Sequence, residues 1–255
     1  MSQEPKQRIL LLDIETSPNV GYSWGKYEQT IIEFIEPWYL LSYAYKWLGK
    51  PTQVKALCDY PKYKPSHNND LNLVKDLWKL LDEAEIVVAQ NGDAFDFKKI
   101  NTRFIHHRME PPSPFKTIDT LKIARDRFGF NSNKLDDLGK DLNEGEKLKH
   151  LGFPLWKGCM SGDKKCWATM KRYNKRDVDL LEKIYLRFRP FARGHPNMGV
   201  YHDKYVCPRC QSTHLIHSGM YTNRTGKFYR LKCTDCGGWS ITKTPVERRE
   251  ILRSI

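Results

Sequence analysis

Residues 8–16 read R-I-L-L-L-D-I-E-T, and the passage from a wholly apolar run into two carboxylates constrains this chain more than any other stretch. Four consecutive large apolar residues, Ile9 to Leu12, predict a strand buried on both faces. A strand turns successive side chains to opposite sides, so Asp13 and Glu15 share one face. Two carboxylates at the mouth of a buried strand are costly unless positive charge lies beside them. A divalent cation held between them meets that demand. A strand that simply ends in a solvated acidic turn meets it equally, so this stretch leaves both readings open.

The chain of 255 residues has room for one large or two smaller domains. Lys plus Arg number 43 against 30 Asp plus Glu, a formal net charge of +13 that favours a polyanionic partner, nucleic acid before anionic membrane. No apolar run is long enough to span a bilayer. The opening M-S-Q-E-P-K-Q-R lacks the apolar core of a secretory signal. Seven cysteines, four of them in two C-x-x-C pairs, indicate metal chemistry in a reducing compartment, with a cytoplasmic location expected.

Spacing and turn residues divide the chain. Thr16 to Tyr27 reads as a loop over the carboxylates, Trp38 to Trp47 as a second strand, and Gln53 to Leu57 as its hairpin partner. Asp70 to Leu81 has helical periodicity with Asp70 or Asn69 as cap, and Glu85 to Ala89 is another short buried strand. A helix over Phe95 to His107 follows the turn at Asn91 and Gly92. Thr117 to Arg127 reads as a strand edge leading to a helix, and Ser132 to Leu142 as a short helix. Gly145 to Gly162 reads as loop. Asp163 to Phe188 predicts a long helix with Trp167, Met170, Tyr173, Asp177, Leu180, Leu181, Ile184 and Phe188 on or near one side. Strands alternating with helices imply an α/β domain over 1–190, a linker at 191–204, and a second module at 205–255.

In open α/β sheets the reactive groups gather beyond the carboxyl ends of adjacent strands. Asp13, Glu15 and Asp96 occupy such ends. Asp96 also sits where a helix dipole favours negative charge, which by itself explains it as well as a ligand role does. Tyr173 and Asp177 are four apart and share a helix face. Together the four carboxylates suit Mg²⁺ or Mn²⁺.

In order, D-I-E-T at 13–16, N-G-D-A-F-D at 91–96 and Y-N-K-R-D at 173–177 resemble the three motifs of the DEDD, or DnaQ-like, 3′→5′ exonucleases. Tyr four residues before the last Asp resembles the tyrosine branch of that family. The resemblance covers about residues 8–190 and is nearest to stand-alone exonuclease-like proteins of phage genomes, which would place the protein in a host cytoplasm. It implies an RNase H-like fold, a mixed sheet flanked by helices, and phosphodiester hydrolysis with two Mg²⁺ or Mn²⁺ ions. Asp13 would bridge both ions, Glu15 and Asp177 would hold the one on the nucleophile side, and Asp96 would act on the other through water. Tyr173 would orient the attacking water, since an ordinary tyrosine is a poor base at neutral pH. Asn91 and Phe95 would shape the terminal-nucleotide pocket. Asp119 matches an often acidic position and is left outside the immediate metal shell. DNA 3′ ends are the expected substrate, with replication proteins as partners. An RNA 3′-exonuclease, a structure-selective nuclease of the same fold, and a non-catalytic nucleic-acid-binding protein are the alternatives.

Cys207-x-x-Cys210 and Cys233-x-x-Cys236 have the spacing of a four-thiolate site for one structural Zn²⁺, resembling a zinc ribbon. His202, His214 and His217 are expected to stay outside it, and Cys58, Cys159 and Cys166 have no partner at metal spacing. Residues 191–255 hold 11 Lys plus Arg and 4 Asp plus Glu, a net +7, against +6 for the preceding 190 residues. Among those cations Arg209, Arg224, Lys227, Arg230 and Lys232 are the expected phosphate contacts, with aromatic residues interleaved. A protein-docking module that is merely basic accounts for the same composition.

Overall fold

The structure is a computed structural model describing residues 8–246 apart from 28, 29, 62, 65–67, 150, 151 and 225; the predicted domain ends at 1–7 and 247–255 lie outside it. Two compact units emerge, Arg8–Tyr185 and the described residues from Leu186 onward. No helix among the described residues is long and apolar enough to cross a membrane.

The first unit is a mixed α/β layer structure. Its elements in chain order are β1 (Ile9–Thr16), β2 (Val20–Tyr22), β3 (Glu33–Glu36), β4 (Leu40–Trp47), β5 (Gln53–Ala56), α1 (Leu71–Asp82), β6 (Ile86–Ala89) and α2 (Asp96–His106). There follow β7 (Lys116–Asp119), α3 (Thr120–Arg127), α4 (Leu135–Asp141), α5 (Phe153–Met160) and α6 (Lys164–Phe188). Five strands form one sheet in the order β5-β4-β1-β6-β7, with β1 antiparallel to β4 and parallel to β6. β1 is therefore central, and Leu10, Leu11 and Leu12 are fully buried, as a strand covered by helices on both faces requires. All eight residues expected on one side of α6 are buried.

Three local expectations are corrected. Residues 16–27 are not simply loop, because β2 pairs antiparallel with β3. So short a strand carries no readable alternation, and its glycine is there for closeness: a Cβ on Gly21 would lie 2.4 Å from the Ile31 side chain and 2.5 Å from the Glu33 carbonyl oxygen. Residues 145–162 are not simply loop either, since they contain α5. Gly152, at φ 71°, and Pro154 in the first turn start that helix, the two residue types that had marked a loop. Of the two caps expected for α1, Asn69 Oδ1 accepts from the Leu71 N–H at 3.2 Å, whereas the Asp70 side chain does not cap the helix. It is fully buried and accepts from Leu40 N–H (2.8 Å), Arg103 (2.5 Å) and His107 Nε2 (2.6 Å), tying β4, α1 and α2 together.

The second unit holds β8 (Leu215–Asn223), β9 (Gly226–Cys233) and β10 (Trp239–Ile241) in an antiparallel sheet ordered β10-β9-β8.

Candidate active site and cysteine centre

The carboxylates meet where β1 outruns its parallel neighbour. The β1–β6 ladder ends at Leu11 opposite Val88, and beyond it the Ile14 N–H donates to Asp96 Oδ1 at 3.1 Å. A backbone donor left over by the sheet thus fixes the first residue of α2 against β1. Asp13 and Glu15 lie opposite Ala44 and Ser42 of β4, and α6 brings Asp177 to them. One carboxylate oxygen from each of Asp13, Glu15 and Asp177 lies within 4.8 Å of the others. Asp96 stands outside that group of three, yet it is the leading charged neighbour acting on Asp13.

Proton affinity reports the strain of this gathering. Burial, then repulsion from Asp96, Glu15 and Asp177, holds the Asp13 carboxyl well above the usual carboxylate range. Burial and then Asp177 push Glu15 up to about 8. Burial also lifts Asp96 to about 7, although the Ile14 N–H opposes the rise. Clustered hard oxygens that resist ionisation together are the donor set that a divalent cation relieves, and the residues fit Mg²⁺ or Mn²⁺.

Three further side chains, none assigned to the site from sequence, complete it. Asn174 is fully buried on α6, its Nδ2 donating to Asp13 Oδ2 at 2.6 Å and to the Asp13 carbonyl at 3.2 Å, while its Oδ1 accepts from Ser42 at 3.1 Å. Lys147 Nζ donates to Asp177 Oδ2 at 2.5 Å and to the Tyr173 hydroxyl at 3.3 Å. Burial alone would lower this ammonium, but Asp177 and Tyr173 carry it above its ordinary value. Trp156, on α5, hydrogen-bonds Glu15 and stands edge-on to Tyr173 with ring centroids 6.2 Å apart. Burial first, then Asp177 and Glu15, raises the Tyr173 phenol further above neutrality, so it stays protonated.

The segment carrying Lys147 is held from two sides. Lys147 N–H donates to Asp136 of α4 at 2.7 Å, and α6 reaches the carbonyls of Glu146 and Glu144 through Arg176 (2.9 Å) and Lys183 (2.8 Å). Gly139 permits the approach, because a Cβ there would lie 2.3 Å from the Gly145 carbonyl oxygen.

Asn91 adopts φ 61° and donates its N–H to Asp119 Oδ1 at 2.9 Å. Asp119 also caps α3 through Leu121 N–H at 2.9 Å, so it braces the turn before Asp96. Phe95 is 40% exposed at the start of α2.

In the second unit, one sulfur from each of Cys207, Cys210, Cys233 and Cys236 lies within 4.8 Å of the others, and the 207–236 and 210–233 pairs are both 3.6 Å apart. Those distances are far beyond a disulfide and close to the ~3.8 Å edge of a tetrahedron of thiolates on Zn²⁺. Each pair is followed by a left-handed residue, Gln211 (φ 63°) or Gly237 (φ 74°), whose N–H returns to the carbonyl of Cys207 or Cys233. The cluster fits a zinc ribbon. His214 contacts Asp235, His202 contacts Gln211 and His217 packs on Tyr229, outside the four thiols. Arg224, Lys227, Arg230 and Lys232 are exposed, with Arg230 and Lys232 over the Trp239 ring at 5.1 and 5.9 Å. Arg209 instead donates to the carbonyls of Trp239 (2.9 Å) and Ala192 (3.3 Å).

Residues 49–188, more than half of the chain, match the RNase H superfamily. The chain belongs to the RNase H superfamily. Membership supports nuclease activity in general and, with it, a nucleic-acid substrate. The fold is similar to that of the family B DNA polymerase from the hyperthermophilic archaeon Pyrobaculum calidifontis, with a TM-score of 0.54 at 14% identity over 73% of this chain. The likeness spans 25% of that polymerase. No curated protein matches the sequence significantly.

Proposed function

We propose that this RNase H superfamily protein is a 3′→5′ exonuclease acting on DNA ends, with 1–190 as the nuclease domain, 191–204 as linker and 205–255 as zinc ribbon. The observation that carries the reading is the convergence of Asp13, Glu15 and Asp177 from β1 and α6, with Asp96 fixed beside them by the Ile14 N–H. Two Mg²⁺ or Mn²⁺ ions held there would polarise the scissile phosphate and acidify the attacking water. Asn174 fixes the rotamer of Asp13. Trp156 does the same for Glu15, so both carboxylates are set before substrate arrives. Tyr173, kept protonated, donates or accepts a hydrogen bond to orient water rather than taking its proton. Lys147 offsets negative charge at Asp177.

Asn91 and Phe95 contact the terminal nucleotide in this reading. Arg224, Lys227, Arg230 and Lys232 contact phosphates, while Arg209 donates to the carbonyls of Trp239 in the ribbon and Ala192 in the linker. The thiols hold one structural Zn²⁺. The test is a panel of DNA and RNA oligonucleotides labelled at either end. A 5′ label should yield a descending ladder and a 3′ label an immediate mononucleotide, on DNA in preference to RNA. Internal cuts, or mononucleotide release from the 5′ end, would overturn the polarity.

A further inference from the structure

The β2–β3 ribbon shows solvent more large apolar surface than its fold explains. Trp24 is 87% and Tyr27 89% exposed, and Tyr22, Ile32, Phe34 and Ile35 are each more than half exposed. None of the described residues between 20 and 36 is buried. A two-stranded ribbon is marginally stable alone in water, and apolar side chains gathered in this way mark a contact surface. Tyr22 pairs with Glu33 and Gly21 with Phe34, so Tyr22 and Phe34 lie on opposite faces. The ribbon is apolar on both sides.

Its base is joined to the carboxylate cluster. The Trp38 N–H donates to Asn19 Oδ1 at 2.9 Å, and Ser17 and Tyr39 exchange two hydrogen bonds of 2.9 Å, just beyond Glu15. Lys99 Nζ lies 3.7 Å from the Trp38 ring centroid and 5.8 Å from that of Phe95, the neighbour of Asp96. An aromatic row with a cation in it thus leads from the cluster to the ribbon, the arrangement that binds single strands by stacking. Over residues 20–36 the sequence sets Glu28, Glu33 and Glu36 against Lys26, so the ribbon has no excess of cations for phosphates. Base faces suit it better.

Resting on the nuclease reading above, we infer that Phe95, Lys99 and Trp38 lead the substrate's terminal nucleotides to the ribbon, whose Tyr22, Trp24 and Phe34 stack on its unpaired bases. The experiment compares full-length protein with the Tyr22→Ala/Trp24→Ala/Phe34→Ala variant, binding a single-stranded DNA oligonucleotide in Ca²⁺. Each is measured with intact DNA and with abasic sites placed upstream of the terminal nucleotide that Asn91 and Phe95 contact. Stacking predicts that the variant binds intact DNA about tenfold more weakly. It also predicts that abasic DNA costs the wild type a similar factor and the variant little more. Equal affinity of wild type and variant for intact DNA overturns the inference and leaves a protein as the ribbon's occupant. Should the triple variant fail to fold, a wild type indifferent to abasic sites overturns it alone. Failure of the nuclease reading looks different, as tight, base-dependent binding without hydrolysis in Mg²⁺ or Mn²⁺.

Discussion

Replacing Glu15 with glutamine should stabilise the metal-free protein, by an amount that depends on pH. In the folded site this carboxyl keeps its proton to about 8 rather than the ordinary 4.5. The folded state therefore binds a proton that the unfolded chain has released, and stability falls as pH rises through that window. At pH 7 the cost of keeping that proton bound in the folded state is roughly 3 kcal/mol. Glutamine avoids the cost and keeps an acceptor for Trp156, while the charge of Lys147 loses part of its compensation. A net gain of about 2 kcal/mol remains, or about 4–8 °C in the unfolding midpoint of a domain this size. The assay is thermal unfolding at pH 5, 7 and 8 after dialysis into buffer free of Mg²⁺ and Mn²⁺, without a strong chelator that would strip the thiolate site. The two proteins should nearly coincide at pH 5 and separate by pH 8, and added Mn²⁺ should raise the wild type more than the variant. A gap independent of pH, or a variant less stable at pH 8, would refute the reasoning.

Asn174→Ala should slow hydrolysis about 10- to 100-fold by freeing Asp13, and an unchanged rate under single-turnover conditions would remove it from the site. Trp156→Phe keeps a ring against Tyr173 but loses the hydrogen bond that lowers Glu15, so the rise of activity with pH should move to higher pH; an unmoved profile would contradict this. Tyr173→Phe should retain more activity than Asp177→Asn, and the opposite order in parallel rate measurements would give the phenol more than an orienting role. Elemental analysis should find about one zinc per chain, lost in Cys207→Ser, with hydrolysis of short oligonucleotides retained.

What could be read from the amino-acid order was whatever rests on long periodicity or on chemistry at fixed spacing. Ile9 to Leu12 announced a buried strand because four apolar residues in succession suit only an element covered on both faces. α6 was legible because its apolar side repeats over many turns, and the cysteine pairs because their spacing serves one geometry. β2 and β3 are too short and too exposed to leave a pattern. α5 begins with glycine and proline, which serve loops and helix starts alike. Lys147 and Trp156 were hidden by that ambiguity, their place set by contacts with Asp136, Asp177 and Glu15 far away in sequence. Asn174 lay within a recognised motif, yet its role depends on Ser42 across the sheet. The Pro154 first-turn signal was the one clue that could have drawn attention to this region.

The most direct test follows a 5′-labelled oligonucleotide with wild-type protein and with Asp13→Asn, in Mg²⁺ or Mn²⁺ and again after these ions are removed. Asparagine at this position can still accept from Asn174, so the fold should persist while the charge that binds cations is lost. A carboxylate-centred hydrolytic site predicts progressive shortening by the wild type only with divalent ion present, and a loss of at least about a hundredfold in the variant. Shortening by Asp13→Asn at the wild-type rate, in protein shown free of contaminating nuclease, would contradict the account.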